Sequence, residues 1–369
     1  MFAFFCRTPI HVFRSIQFAM QIFKDVSCDI YIFDTFPYSE KIYDRVKRNN
    51  IFSETYYIHD KEYMRKGRAE DFKTAFFTSD FKRLLAEKKY DSVFVYNVYG
   101  SFNELIYNSL RTNNKSLEFN IVEDGPSIYH IQEYKKGMTQ KILFPIGGLS
   151  PYLDNVSQWW FSMPELMTPL KNGNKKEIPK VDRKDKQFVN VINDIFDYDN
   201  NRIIRDSRVI FMEECYWSDG LLSDGSDLSL LLQLKEKVST DISVKLHPRT
   251  KKDRFSEYFS AVPANGIPWE VYALNIDMES KILLSLSCST MVSTKLLYGM
   301  ETYSLLLYPI VEDKVMELKG NSKYFNSDRK AKIDSQTILY TDKHKFSKAE
   351  NIDMAAKTLN EWLKEEARA

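Results

Sequence analysis

Short apolar runs alternate with longer amphipathic stretches from the first residue onward. Phe2–Cys6 reads as a buried strand, with Thr8 as the N-cap and Pro9 as the first residue of the helix that follows. Ile10, Phe13, Ile16, Met20 and Phe23 recur at three- and four-residue spacing, which predicts the core-facing stripe of a crossover helix. Cys28–Asp34 reads as the next strand and 38–47 as a helix. Thr55–His59, Ser92–Tyr96 and Leu117–Val122 read as further strands, separated by helical stretches near 68–88 and 100–111. Alternation of this kind implies a parallel sheet covered by helices on both faces.

Residues 136–207 break the rhythm. They hold Gly147-Gly148, the aromatic cluster Trp159-Trp160-Phe161 and the basic stretch Lys171–Lys186, and read as the end of a first domain plus a linker. The pattern then restarts with predicted strands at Val209–Met212, Ile242–Leu246, Ile282–Leu286 and Tyr303–Leu307, and helices near 219–237, 289–299 and 347–366. The expected architecture is α/β, with domains at 1–200 and 201–345 and a cleft between them. A last helix within 346–369 is expected to pack across the junction.

The 369-residue length agrees with two domains rather than one core. Apolar residues at 43% and charged residues at 28% describe a globular chain. The 25 Phe and 22 Tyr, with many Lys, Asn and Ile, read as coding bias rather than a binding surface. Fifty-two basic against 51 acidic residues leave a net charge of +1, so nothing calls for a nucleic-acid partner. Cys6, Cys28, Cys215 and Cys288 are far apart and form no CxxC pair, which reads as reduced, buried thiols of a cytoplasmic protein. The apolar start is interrupted by Arg7 and Pro9, unlike a signal peptide. No run approaches the ~20 apolar residues that span a bilayer. Peripheral association with the inner face of the cytoplasmic membrane, and a homodimer, are both compatible with this composition.

In an open parallel sheet, ligands bind beyond the carboxyl ends of the strands. Four polar segments are expected there. Glu123-Asp124-Gly125 ends one strand; adjacent acids on an extended chain point to opposite sides, so one is expected to face the ligand. A carboxylate there suits a general base, and a turn-forming Asp-Gly pair explains the same residues without chemistry. His247-Pro248-Arg249 ends another strand and suits a phosphate, with Arg as a fork and His as donor of a hydrogen bond or a proton. Ser287, Ser289 and Thr290 precede a helix, where they suit either an anion or ordinary capping. Thr8 and His11 follow the first strand, without the glycines of a dinucleotide fingerprint. Asp197-Tyr198-Asp199 resembles a metal-binding carboxylate pair but lies in a polar, Asn-rich stretch and reads as solvated linker. His59, His130 and His344 lack partners at metal spacing, so no metal or other cofactor is expected.

Taken in order, these segments resemble the bacterial sialyltransferases of glycosyltransferase family 52 and the related capsular polysialyltransferases. Glu123-Asp124-Gly125 is similar to the acidic-pair-plus-Gly motif of those families, and His247-Pro248 to their His-Pro motif. Ser287 with Ser289-Thr290 is similar to their Ser/Thr motif. The opening Phe5-Cys6-Arg7-Thr8-Pro9-Ile10-His11 is also similar to the first strand–helix turn, where Gln is common at the position of His11.

The resemblance implies a GT-B-like fold of two Rossmann-like domains, the first on the acceptor side and the second binding the nucleotide sugar. It further implies inverting, metal-independent transfer from CMP-sialic acid to a glycan hydroxyl, expected to be galactose of a capsule or lipooligosaccharide. Asp124 is then the expected base with Glu123 beside it, and His247 the group that assists departure of the phosphate. Gly125, Pro248, Arg249, Ser287, Ser289 and Thr290 are expected around the donor, and Glu270, within Ile267-Pro268-Trp269-Glu270, on its ribose. Thr8, His11 and Asn97 are candidate substrate contacts, with Asn97–Asn103 a candidate acceptor loop. The stretch Glu213–Gly220 departs from the family pattern and leaves Asp219 and Glu214 as competing bases. An Asp with a pKa near ~3.9 would act as a base without any shift. Two alternatives remain: the same scaffold using another nucleotide sugar (another nonulosonic acid, Kdo or UDP-glucose), and a non-catalytic glycan- or nucleotide-binding component of capsule assembly.

Overall fold

The computed structural model describes residues 1–59, 80–96, 98, 101–130, 138–167, 172–222, 225–316 and 323–366. The chain divides into two units, Met1–Ile195 and Phe196–Ala369, five residues short of the boundary expected at 200.

The first unit is built on seven parallel strands: β1 (Phe2–Cys6), β2 (Cys28–Phe33), β3 (Glu54–Ile58), β4 (Ser92–Val95), β5 (Glu118–Val122), β6 (Val156–Phe161) and β7 (Asn174–Glu177). Their order is β3-β2-β1-β4-β5-β6-β7. Strand order reverses between β1 and β4, which makes the carboxyl ends of these two strands the place where such a sheet takes a ligand. β1, β2, β4 and β5 are buried nearly throughout, as central strands covered on both faces must be.

The irregular stretch 136–207 is therefore only partly a linker, because β6 and β7 complete the sheet there. Two features hid them. β6 follows a helix, Met138–Ile146, that contains Pro145, and then a 3₁₀ turn, and β7 is Asn-Lys-Lys-Glu, fully exposed. Edge strands carry charge because their second face and outer edge meet water. The aromatic residues prove to be core. Phe4, Phe18, Phe23, Phe94 and Trp160 pack ring against ring at centroid distances of 4.9 to 6.3 Å.

The second unit holds six parallel strands: β8 (Val209–Met212), β9 (Ile242–Lys245), β10 (Ser260–Val262), β11 (Ile282–Ser285), β12 (Tyr303–Leu306) and β13 (Phe346–Lys348). The order β10-β9-β8-β11-β12-β13 repeats the reversal, here between β8 and β11. β10 and β13 are three residues each, too short to leave a pattern in the sequence. The last helix, Ile352–Glu366, packs within this unit, where Trp362 lies 5.1 Å from the Tyr303 ring and Asn360 Nδ2 donates to the Lys237 carbonyl. The helix expected near 68–88 is described only at Asp80–Ala86. Among the described residues no helix is long and apolar enough to cross a membrane. Cys6, Cys28 and Cys215 are buried free thiols, and Cys288 is half-buried.

Candidate active site

In the first unit, the carboxyl ends of β1, β4 and β5 bring His11, Tyr96 and Asp124 together. Pro9 opens the helix Pro9–Gln17 after β1, and Thr8 caps it by accepting the His11 N–H, which sets His11 on the first turn. Thr8 thus has a local structural job. The His11 ring stacks on Tyr96 at 4.6 Å between centroids, nearly parallel. Beneath it, Ser15 Oγ donates to the His11 carbonyl and meets Tyr96 Oη at 2.7 Å and Cys6 Sγ at 3.0 Å.

The Arg7 N–H donates to His11 Nδ1 at 3.1 Å. With Nδ1 accepting, the proton of the neutral ring sits on Nε2. Burial first, and the nearby Arg7 charge second, push the His11 pKa down to about 3, so the ring is neutral. Its Nε2 is buried, finds no hydrogen-bond partner among the described residues, and lies 3.9 Å from Asp124 Oδ2.

The acidic pair after β5 divides as an extended chain requires. Glu123 turns inward: Ser162 N–H and Oγ–H donate to it at 2.8 and 2.9 Å, Tyr129 Oη donates as well, and Arg14 Nη2 lies at 3.5 Å. Arg14 also donates to Ser162 Oγ and Gln17 Oε1, so Glu123 sits in a closed buried network. Asp124 turns outward, its side chain 28% exposed. Burial, and then the adjacent Glu123 charge, raise its pKa to about 7, far above the ordinary value expected for a base that needs no shift. Gly125 follows with φ at 153°, a backbone region open to glycine, and turns the chain away from the strand.

In the second unit, two adjacent carboxylates after β8 each hold one neighbouring strand end. Glu213 reaches β9, accepting the His247 N–H at 2.9 Å and the Thr250 hydroxyl. Glu214 reaches β11, accepting Ser285 Oγ–H, Ser287 N–H and Ser287 Oγ–H at 2.7 to 2.9 Å. Both carboxylates sit above their usual pKa because they are buried.

Both Glu214 oxygens are engaged in holding the serine loop. Ser287 donates its hydroxyl proton to Glu214 while meeting Tyr216 Oη at 2.5 Å, so its side chain has a local structural job in the loop. Ser289 and Thr290 begin a 3₁₀ turn, Ser289–Val292, whose N-cap is Cys288; neither hydroxyl acts as that cap. The Ser289 side of this turn is exposed.

His247 Nδ1 accepts the Arg249 N–H at 3.1 Å and meets Cys215 Sγ at 3.0 Å, which again leaves the ring proton on Nε2. Burial, then Arg249 and Lys245, lower its pKa to about 4. His247 is therefore a neutral hydrogen-bond donor and not a cationic acid. Pro248 completes the rigid turn, and Arg249, 56% exposed, reaches Asp219 Oδ2 at 3.4 Å. Asp219 accordingly sits beside a guanidinium in the second unit.

Glu270 is buried in the first turn of Trp269–Asn275, and its backbone carbonyl accepts Tyr298 Oη–H. Its charge partly offsets the burial that lowers the pKa of Lys245 to about 8. Lys245, buried at the end of β9 with its ammonium 5.6 Å from the Tyr272 ring, was missed in the sequence although it interrupts an apolar run. Arg14, breaking the apolar face of its helix, gives the same kind of signal. Asn97 lies outside the described residues, as do 99 and 100 of the candidate acceptor loop. Asp199 accepts the Asn201 N–H and belongs to a local turn.

Several solved structures share this architecture. Methanocaldococcus jannaschii UDP-GlcNAc 2-epimerase, in complex with UDP-GlcNAc and UDP, matches with a TM-score of 0.52 at 12% identity, over 98% of this chain and 92% of that one. Arabidopsis thaliana UGT89C1 in complex with UDP-L-rhamnose matches with a TM-score of 0.54 at 10% identity, over 100% and 93%. The α/β-galactoside α-2,3-sialyltransferase of the luminous marine bacterium Photobacterium phosphoreum matches with a TM-score of 0.52 at 10% identity, over 94% and 97%. At such identities these likenesses establish the GT-B-like fold of two Rossmann-like units. No curated protein matches the chain by sequence. The alpha-2,8-polysialyltransferase (POLYST) family model matches residues 30–307. The chain therefore belongs to the alpha-2,8-polysialyltransferase family and is a glycosyltransferase of the sialyltransferase type.

Proposed function

We propose that this protein transfers a sialyl residue from CMP-sialic acid to a glycan hydroxyl, taken to be galactose of a capsule or lipooligosaccharide, with inversion and without a metal ion. The observation that carries this reading is the state of Asp124. It is the outward acid of its pair, at a strand end near the reversal of strand order, with a pKa of about 7. Such a carboxylate is half ionised at neutral pH and accepts a proton more readily than an ordinary Asp.

In the proposed reaction the acceptor oxygen attacks the anomeric carbon from the face opposite the phosphate. Its proton passes to Asp124 as the carbon–phosphate oxygen bond breaks, and the electron pair leaves with CMP. His247, neutral with Nε2–H available, donates a hydrogen bond to the departing phosphate. Arg249 supplies the positive charge, and the exposed turn at Ser289 and Thr290 adds donors. Glu270 on the ribose remains part of the proposal. Peripheral membrane attachment and dimerisation are compatible with it and are not needed by it.

The test is incubation of the protein with radiolabelled CMP-sialic acid and galactose-terminated acceptors in the presence of EDTA. Labelled product whose anomeric configuration is opposite to that of the donor supports the reading. Absence of both transfer and donor hydrolysis refutes it, and transfer from UDP-glucose or another nucleotide sugar instead moves the donor assignment.

A further inference from the structure

Beside Asp124 stands a donor that the fold has prepared and left without a partner. His11 is 2% exposed, its Nδ1 occupied by the Arg7 N–H, its ring clamped on Tyr96 and its carbonyl held by Ser15. Among the described residues the remaining ring atom, Nε2–H, meets nothing within hydrogen-bond reach. A buried donor left unsatisfied is costly, so an orphan held in this orientation points to a missing acceptor. Asp124 Oδ2 lies 3.9 Å from Nε2. That separation is too long for a direct hydrogen bond, but it is one that a single oxygen at about 2.8 Å from each atom would bridge. An oxygen seated there subtends an angle of roughly 90° between donor and acceptor, which a hydroxyl tolerates.

We propose that His11 Nε2–H and Asp124 Oδ2 together seat the attacking hydroxyl of the acceptor, His11 donating to its oxygen and Asp124 accepting its proton. This rests on Asp124 as the base. With one lone pair held by His11 and its proton pointed at Asp124, the oxygen keeps its second lone pair for the anomeric carbon. As the proton moves to Oδ2 the oxygen gains negative character, and the fixed N–H dipole stabilises it at that moment. The ring must be neutral for this. An imidazolium would pair directly with the carboxylate and close the seat. Burial and the Arg7 charge keep the ring neutral, and the other charge facing the pair, Glu123, is held by Arg14. The seat also has a specificity consequence: it takes a group that both accepts and donates, so an acceptor deoxygenated or O-methylated at the reacting position is excluded.

The test compares His11→Phe, which keeps the ring stack on Tyr96 but has no N–H, with His11→Gln, which restores an amide donor. Transfer to a galactose-terminated acceptor is expected to fall on the order of 10²-fold in kcat/KM for His11→Phe, with the KM for CMP-sialic acid unchanged. His11→Gln is expected to recover to within about tenfold of the native protein. Transfer by His11→Phe within about threefold of native overturns the proposal. Ring-¹⁵N spectra of histidine-labelled native protein decide it even where no sugar is transferred and the assignment of Asp124 as base has failed. The seat requires a His11 Nε2–H signal that shifts in Asp124→Asn and on adding methyl β-galactoside. A proton on Nδ1, or a signal indifferent to both, refutes it.

Discussion

The Glu213 carboxylate accepts the backbone N–H of His247 at 2.9 Å, tying the end of β8 to the turn that carries the imidazole. Thr250, three residues further on, donates to the same carboxylate, so both sides of the His-Pro turn hang from one buried acid. Glu213→Ala removes the one oxygen that accepts both bonds and leaves the part-buried His247 N–H unpaired, at a cost of about 1–3 kcal/mol. We expect a lower denaturation midpoint together with weaker CMP binding, read by calorimetry. Unchanged CMP affinity would show that the turn keeps its shape without Glu213.

Asp124 sets a pH dependence with a definite sign. In the proposed reaction its ionised form is the base, and its pKa is raised to about 7 by burial and by the adjacent Glu123 charge. Activity should therefore be low at pH 5, rise through about pH 7 and level off above it. Asp124→Asn should lower kcat on the order of 10²–10⁴-fold at all pH values and remove that limb. Glu123→Gln keeps the shape of the inward acid while removing its charge, and so should move the limb toward lower pH. A limb that stays in place in Glu123→Gln, or survives in Asp124→Asn, assigns it to another group.

The candidate ligand edge of each sheet was legible because central parallel strands are continuous apolar runs with polar residues at their ends. Val122 into Glu123 and Leu246 into His247 are visible junctions of this kind. Which member of an acidic pair faces outward follows from strand geometry in principle, but which way the pair turns depends on distant partners. Arg14 and Ser162 draw Glu123 inward, and they are 109 and 39 positions away in sequence. The pairing of Glu214 with Ser287 was hidden for the same reason: two polar residues 73 positions apart satisfy each other across the β8–β11 reversal. β7 stayed hidden because an exposed edge strand needs no apolar pattern. The raised pKa of Asp124 is a property of burial, which a local motif does not encode.

His247 is expected to leave no trace in the pH profile near 6.5, the usual histidine value. Burial, Arg249 and Lys245 lower its pKa to about 4, so it stays neutral wherever Asp124 is ionised. His247→Gln, which keeps an N–H donor, should lose less activity than His247→Ala, whose loss should reach roughly 10²–10³-fold. Cys215 tests the tautomer separately. Cys215→Ala leaves the Arg249 N–H on Nδ1 and should alter activity by less than about threefold, as loss of one weak thiol contact predicts. If Cys215→Ala proves as damaging as His247→Ala, the thiol rather than the Arg249 N–H governs the ring.

Stability should be most sensitive at Arg254 and Asp227. The two side chains are 8% and 3% exposed and pair through both guanidinium nitrogens, at 2.9 and 2.7 Å. The guanidinium also lies over the Trp217 ring at 4.3 Å, which covers its remaining face. Breaking a buried pair leaves an uncompensated charge in a low-dielectric interior and costs about 3–5 kcal/mol. Asp227→Ala should accordingly lower the unfolding free energy by that amount in urea titrations followed by far-UV circular dichroism. Removing both charges at once, as in Asp227→Leu with Arg254→Met, should cost less than Asp227→Ala alone, because no charge is then stranded. A double variant less stable than Asp227→Ala would mean that the pair contributes net attraction beyond the relief of its own burial.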